Sequence, residues 1–130
     1  MSVAVRFFSR SGNTKAIAIA MADAAGVSAV SVDSADAAIN EKVDVLFVGG
    51  ALYAYGLDSN LSEYLKALPE GIAEKAVVFS TSWISKHAID LIKEGLAAKG
   101  IDVADEAFYV RGKPNTAKLK EAAEFAKKFI

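Results

Sequence analysis

The sequence predicts an α/β fold, a parallel sheet with helices on both faces packed as a doubly wound three-layer sandwich. Three observations carry this. Short apolar runs alternate with amphipathic stretches along the whole chain, the order expected of βαβ units. The apolar runs are mostly continuous rather than alternating, as in strands covered on both faces. A loop of hydroxyls, Gly and Asn stands between the first strand and the first helix, where an open α/β sheet places its ligands.

Each element has its own warrant. Val3-Ala4-Val5-Arg6-Phe7-Phe8 is short and β-rich, so it reads as the first strand. Asn13 to Ala25 is Ala-rich and free of Gly and Pro, with Ile17, Ala20, Met21 and Ala24 on one helical face. Gly26 suits the left-handed position that ends this helix. Ser28 to Val32 is a short second strand, and Val43 to Val48 is a third, closed by Gly49-Gly50. The ten residues Asp33 to Lys42 leave room for a one- or two-turn helix around Ala35–Ile39. Leu61, Leu65 and Leu68 recur at helical spacing before a Pro69 stop. Lys75 to Ser80 is the fourth strand. Ala88, Leu91, Ile92 and Leu96 line a helix from near Ser85 to Gly100, within which Gly95 allows close packing on the sheet. Ile101 to Val110 is the fifth strand, interrupted by Asp105-Glu106. Leu119, Ala122, Ala123, Ala126 and Phe129 mark a closing helix after Pro114.

Composition narrows the function classes. The chain has 130 residues, about one domain's worth, with no internal repeat or linker, so residues 1–130 read as a single domain. Apolar residues make up 53% and charged residues 24%, a core-forming balance. Lys+Arg number 15 against 16 Asp+Glu, so there is no basic excess of the kind a nucleic-acid binder carries. The absence of Cys excludes disulfides, thiolate metal sites and Cys nucleophiles, and one His argues against an imidazole zinc site. No apolar run reaches the length of a membrane span, and the N-terminus lacks a signal-peptide pattern. The expectation is a cytoplasmic protein without membrane or nucleic-acid partners, favoured as a monomer.

The loop after the first strand is Ser9-Arg10-Ser11-Gly12-Asn13-Thr14-Lys15. It runs straight into a helix N-terminus, which offers unpaired N–H groups and the positive end of the helix dipole. Short hydroxyl side chains add donors, and Gly12 lets the backbone close around an anion. Ser11 or Asn13 alone reads as an N-cap; the seven residues together read as a phosphate site. The dinucleotide fingerprint G-x-G-x-x-G, the Walker loop and the G-x-S-x-G elbow are all missing.

Ser9 to Thr14 resembles the phosphate loop of the flavodoxin family, [ST]-x-[ST]-G-N-T, and the element order resembles that family over nearly the whole chain. The resemblance implies a flavodoxin-like sandwich with strand order 2-1-3-4-5. It implies a non-covalent FMN whose phosphate is held by Ser9, Ser11, Gly12, Asn13 and Thr14, with Arg10 in the same loop. Two further loops follow strands three and four, Leu52-Tyr53-Ala54-Tyr55-Gly56 and Ser80-Thr81-Ser82-Trp83. Flat rings on two loops can enclose a flat heterocycle by offset stacking. These positions are similar to the family's isoalloxazine loops, with Tyr53 or Tyr55 as the inner aromatic.

The reading that follows is an FMN-binding electron-transfer protein shuttling electrons between a reductase and an acceptor. The flavin carries the chemistry, and no side chain need act as acid, base or nucleophile. The alternative is an NAD(P)H-dependent FMN or quinone reductase. Two departures from the family pattern keep it open. Flavodoxins are usually strongly acidic, whereas this chain is balanced, and the loop carries Tyr53-Ala54-Tyr55-Gly56 where one aromatic followed by Gly is commoner. Arg111-Gly112-Lys113, after strand five, suits a solvated turn, the phosphate of a nicotinamide donor or an acidic partner. His87, one turn into its helix, and the lysines of the last helix read as solvated surface.

Overall fold

The computed structural model describes residues 1–53, 56–83 and 85–130. Its elements are β1 (Val3–Phe7), α1 (Asn13–Ala25), β2 (Ala29–Ser31), a 3-10 turn (Ala35–Ala37), β3 (Val43–Gly50), β4 (Leu52–Tyr53), β5 (Gly56–Leu57), α2 (Ser59–Ala67), β6 (Ala73–Thr81), α3 (His87–Ala97), β7 (Asp102–Val110) and α4 (Thr116–Lys127). Five parallel strands form the main sheet in the order β2-β1-β3-β6-β7, which is 2-1-3-4-5 when its own strands are numbered in sequence. β4 and β5 form a separate antiparallel pair.

Alternation along each strand divides the core in two. Val5, Phe7, Phe47, Val77 and Phe79 point to one face, where Ile17, Ala18, Met21 and Ala22 of α1 and Ala122 and Phe125 of α4 cover them. Ala4, Leu46, Val48, Ala76 and Val78 point to the other, under Leu61 and Leu65 of α2 and Ile89, Ile92 and Leu96 of α3. The strands are apolar on both faces because both faces are covered.

Several expectations are corrected in detail. The buried stripe of α1 is Thr14, Ile17, Ala18, Met21 and Ala22, one position round from the predicted face. Ala20 and Ala24 lie at its margin, partly buried. Gly49 and Gly50 do not close β3 but belong to it. A Cβ at Gly49 would lie 2.0 Å from the Phe79 ring, so the bare backbone makes room for that ring. Gly95 does not admit the sheet; its missing side chain admits Leu65 of α2, 3.1 Å from where a Cβ would stand. β7 runs through Asp105-Glu106, and their disturbance survives as a register shift against β6 between Ala76 and Val78. The helix near Ser85 begins two residues later, so His87 is its first residue rather than one turn in. The predicted turn around Ala35–Ile39 shrinks to three residues. It is held by the buried Arg6, whose Nε donates to Ala37 O at 2.8 Å, and Tyr64 Oη donates to the same carbonyl.

Candidate flavin site

The carboxyl ends of β1, β3, β6 and β7 meet around a cleft of about 220 Å³ lined by Arg10, Ser11, Asn13, Tyr53, Thr81, Trp83 and their neighbours. Its phosphate end is made by the first loop. Gly12, the N-cap of α1, has φ +93°, a conformation that a Cβ-bearing residue adopts only under strain. The first bond of the helix, Ala16 N to Gly12 O at 3.0 Å, leaves the amides of the first turn facing the loop. Ser9 Oγ accepts from Gly12 N at 3.0 Å, and Ser11 Oγ accepts from Asn13 N at 3.4 Å. The hydroxyls thus fold the loop on itself.

Thr14 is buried, and its Oγ1 lies 2.6 Å from Thr81 Oγ1 at the end of β6. Two hydroxyls carry two protons and spend one between them, so the pair keeps one donor for a further acceptor. This bond ties the first helical turn to the fourth strand of the sheet. It joins two of the predicted site loops.

The ring end is built differently. The Arg10 guanidinium lies over the Tyr53 ring, 4.0 Å from its centroid, and forms an ion pair with Asp58. Its Nε donates to Asp58 Oδ2 at 2.9 Å. Asp58 is 5% exposed and caps α2, accepting from Asn60 N at 2.8 Å. Burial pushes its carboxyl up. The bonds from Asn60 and Arg10 together pull harder and hold it below its ordinary value. Opposite stands Trp83, 67% exposed, its ring against Gly112. A Cβ on Gly112 would lie 2.3 Å from that ring. Ser82 fixes the two loops together: its N donates to Val110 O and its O accepts from Gly112 N, both at 3.3 Å, and from Tyr109 Oη at 2.8 Å.

The structure therefore brings Arg10, Ser11, Asn13, Leu52, Tyr53, Thr81, Ser82 and Trp83 to one cleft. Ser9, Gly12 and Thr14 stand behind its phosphate end. Gly56, with φ +109°, begins β5 and lines the neighbouring groove between α2 and α3. Ser80 is fully buried and shares its strand face with Val78, toward α2 and α3. Ala54 and Tyr55 lie outside the described residues, and with them the choice between Tyr53 and Tyr55 as inner aromatic. Sequence reasoning missed Asp58, and it named Gly112 only within Arg111-Gly112-Lys113, without its contact with Trp83. Asp58 directly precedes the helical run Ser59-Asn60-Leu61, an N-cap signal that could have found it. Gly112 had no local signal for contact with Trp83.

A flavodoxin domain model matches residues 4–130. The chain belongs to the flavodoxin family. Among solved structures it is similar to a flavodoxin from the domain Archaea, at 23% identity over 99% of this chain and 96% of that one, with a TM-score of 0.83. Oxidised flavodoxin 1 from Bacillus cereus is similar at 23% identity, 99% and 97% coverage and a TM-score of 0.81. A WrbA-like flavodoxin from Agrobacterium tumefaciens is similar at 15% identity, 99% and 95% coverage and a TM-score of 0.81. No curated protein matches by sequence. Among the described residues no helix is long and apolar enough to cross a membrane, and no group of three or more acidic, His or Cys side chains is placed to hold a metal.

Family membership implies a flavin, and this flavodoxin site fits one. The donors of the loop suit a terminal phosphate, because they are amides and hydroxyls at the positive end of α1. The cleft beyond is walled by Tyr53 and Trp83, whose ring faces suit a flat heterocycle.

Proposed function

We propose that the chain binds FMN and works as an electron carrier between a reductase and an acceptor protein. One observation carries the reading: the phosphate loop at the start of α1 opens directly into a cleft between Tyr53 and Trp83. Bound FMN supplies one- and two-electron redox chemistry. The protein's part is to bind and orient it. Ser9, Ser11, Gly12, Asn13 and Thr14 hold the phosphate, and the Thr14–Thr81 pair fixes that loop to the sheet. Arg10 stacks on the Tyr53 ring, while Ser82 holds the Trp83 loop against Gly112.

A second reading, an NAD(P)H-dependent FMN or quinone reductase, is favoured by Arg111 and Lys113 beside Gly112, whose charges suit a dinucleotide phosphate. Anaerobic reduction of the purified holoprotein separates the two. Slow bleaching of the flavin by NADH or NADPH, made fast by adding a separate reductase, supports the carrier. Rapid bleaching by a nicotinamide alone supports the enzyme. A protein that retains no FMN overturns both.

A further inference from the structure

The Trp83 side of the cleft carries a set of charges that the phosphate and ring walls do not use. Lys86, Arg111 and Lys113 are all exposed. The Lys86 ammonium stands over the Tyr109 ring, 5.5 Å from its centroid. Arg111 and Lys113 flank Gly112, which carries the indole of Trp83. Because Ser82 binds Val110, Gly112 and Tyr109 at once, the two loops form one continuous surface. The segments Thr81–Lys86 and Val110–Asn115 contain no Asp or Glu. The nearest acids along the chain are Asp90, which faces His87 with Oδ2 3.8 Å from Nδ1, and Glu106, which pairs with Lys128.

Lysines elsewhere on this molecule are often neutralised. Lys42 pairs with Glu74, Lys75 with Asp102, Lys118 with Glu121, Lys127 with Glu124 and Lys128 with Glu106. Among the described residues no carboxylate lies within ion-pair distance of Lys86, Arg111 or Lys113. The net charge of −1 conceals this, since it sums an acid-rich remainder with a cationic corner. Solvent alone keeps such a corner soluble, yet it adjoins the ring of Trp83, among the described residues the most exposed large ring of the site at 67%. An indole edge beside Arg and Lys is the composition of a docking surface, the cations giving steering and selection. The three cations stand outside the cleft rather than lining it, so they meet an approaching surface before they meet anything bound inside.

We propose that Lys86, Arg111 and Lys113, with the ring of Trp83, form a docking rim for an acidic partner protein. The proposal rests on the carrier reading, and it assigns the sign of the partner: carboxylates on the partner meet cations here. This is the reverse of the arrangement that a strongly acidic carrier would use. A nicotinamide dinucleotide is the competing occupant.

The chain's single tryptophan gives one indole N–H resonance, which reports the rim directly. The purified holoprotein is titrated at low salt with poly-L-glutamate, with poly-L-lysine as the opposite-charge probe and NADPH as a third arm. The rim predicts a saturable shift of the Trp83 signal with poly-L-glutamate, weakened by added salt, and none with poly-L-lysine. The combined variant Lys86→Gln, Arg111→Gln, Lys113→Gln should bind poly-L-glutamate at least about tenfold more weakly. It should keep its FMN, read by visible absorbance. Arg111→Lys, which keeps the charge, should bind like the parent. Equal binding by parent and triple variant overturns the rim. So does a Trp83 shift with NADPH that the triple variant loses, since the cations then serve a dinucleotide. Loss of FMN from the triple variant also overturns it, by moving the cations into the cofactor site. If the parent holds no FMN but the charge-dependent shift with poly-L-glutamate remains, the carrier reading fails and the rim stands.

Discussion

The phosphate end and the ring end of the cleft are assembled by different physics. At the phosphate end the binding groups come from one run, Ser9 to Thr14, and the helix they begin supplies the field. At the ring end the walls come from three separate loops, carrying Tyr53, Trp83 and Gly112. They are held by long-range contacts: Arg10 to Asp58, Ser82 to Gly112, indole on bare backbone. A site built from one run forms as its helix forms. A site built from three loops forms only when the sheet has brought them together. The first should concentrate binding energy, and the second should spread it thinly and be open to distant disturbance.

The largest effect should come from removing the ligand's phosphate. On the proposed reading at least two charge-assisted hydrogen bonds, each about 1.5–3 kcal/mol, depend on it. Riboflavin should therefore bind the apoprotein about a hundredfold or more weaker than FMN, measured by quenching of flavin fluorescence. Equal affinities would show that the loop is only a turn.

Next is Thr14→Ala. It takes one donor from the phosphate end and leaves Thr81 Oγ1 buried without its partner. FMN affinity should fall about tenfold or more, and urea unfolding of the apoprotein should show a loss of about 1–2 kcal/mol. Replacing both residues, Thr14→Val with Thr81→Val, removes the orphan and should recover much of the stability but none of the affinity. A double variant that regains affinity would place the Thr14 hydroxyl in packing alone.

The ring end is tested by Gly112→Ala. Its φ of +75° strains any side chain by about 1 kcal/mol, and the new methyl would lie 2.3 Å from the indole. Trp83 must move, so its fluorescence maximum should shift. FMN affinity should fall severalfold, less than for Thr14→Ala. A larger fall than at Thr14 would reverse the ranking of the two ends.

Legibility follows the same divide. The loop Ser9–Thr14 and α1 from Asn13 to Ala25 could be read, because local pattern determines them, whereas the strand order followed from the resemblance to the family. The β4–β5 hairpin could not, since its strands are two residues each and carry no periodicity. Nor could the role of Gly49, whose reason is the Phe79 ring across the sheet, or of Gly95, whose reason is Leu65 on another helix. Asp58 could have been found as a cap, but its pairing with Arg10 joins residues that only the fold makes neighbours.

A smaller effect is expected at Asp58, where acidity is the probe. Its folded carboxyl titrates below its ordinary value of 3.8. It therefore contributes stability at higher pH, and that contribution is lost as the pH falls through the lowered folded value. Asp58→Asn keeps an N-capping oxygen but removes the charge from Arg10. The variant should lose less stability than its parent on acidification from pH 5 to pH 2 and should hold Tyr53 less firmly at neutral pH. Parallel acid unfolding curves for the two proteins would show that Asp58 acts only as a cap.

The smallest effect should come from Ser80, where position in the sequence and direction of the side chain disagree. It stands at the carboxyl end of β6, beside Thr81 and Ser82, which line the cleft. Its own side chain points to the opposite face, with Val78 toward α2 and α3. Among the described residues its Oγ is buried with no hydrogen-bond partner. A buried hydroxyl without a partner costs about 1–3 kcal/mol in lost hydration, while Ser→Ala removes one atom and leaves little void. Ser80→Ala should therefore raise the unfolding free energy by about 1 kcal/mol or less and leave FMN affinity unchanged. The sign matters more than the size. A rise in stability with full affinity assigns Ser80 to the core behind the cleft, whereas a loss of affinity means that its hydroxyl serves the flavin, as its place after the fourth strand of the sheet first suggested.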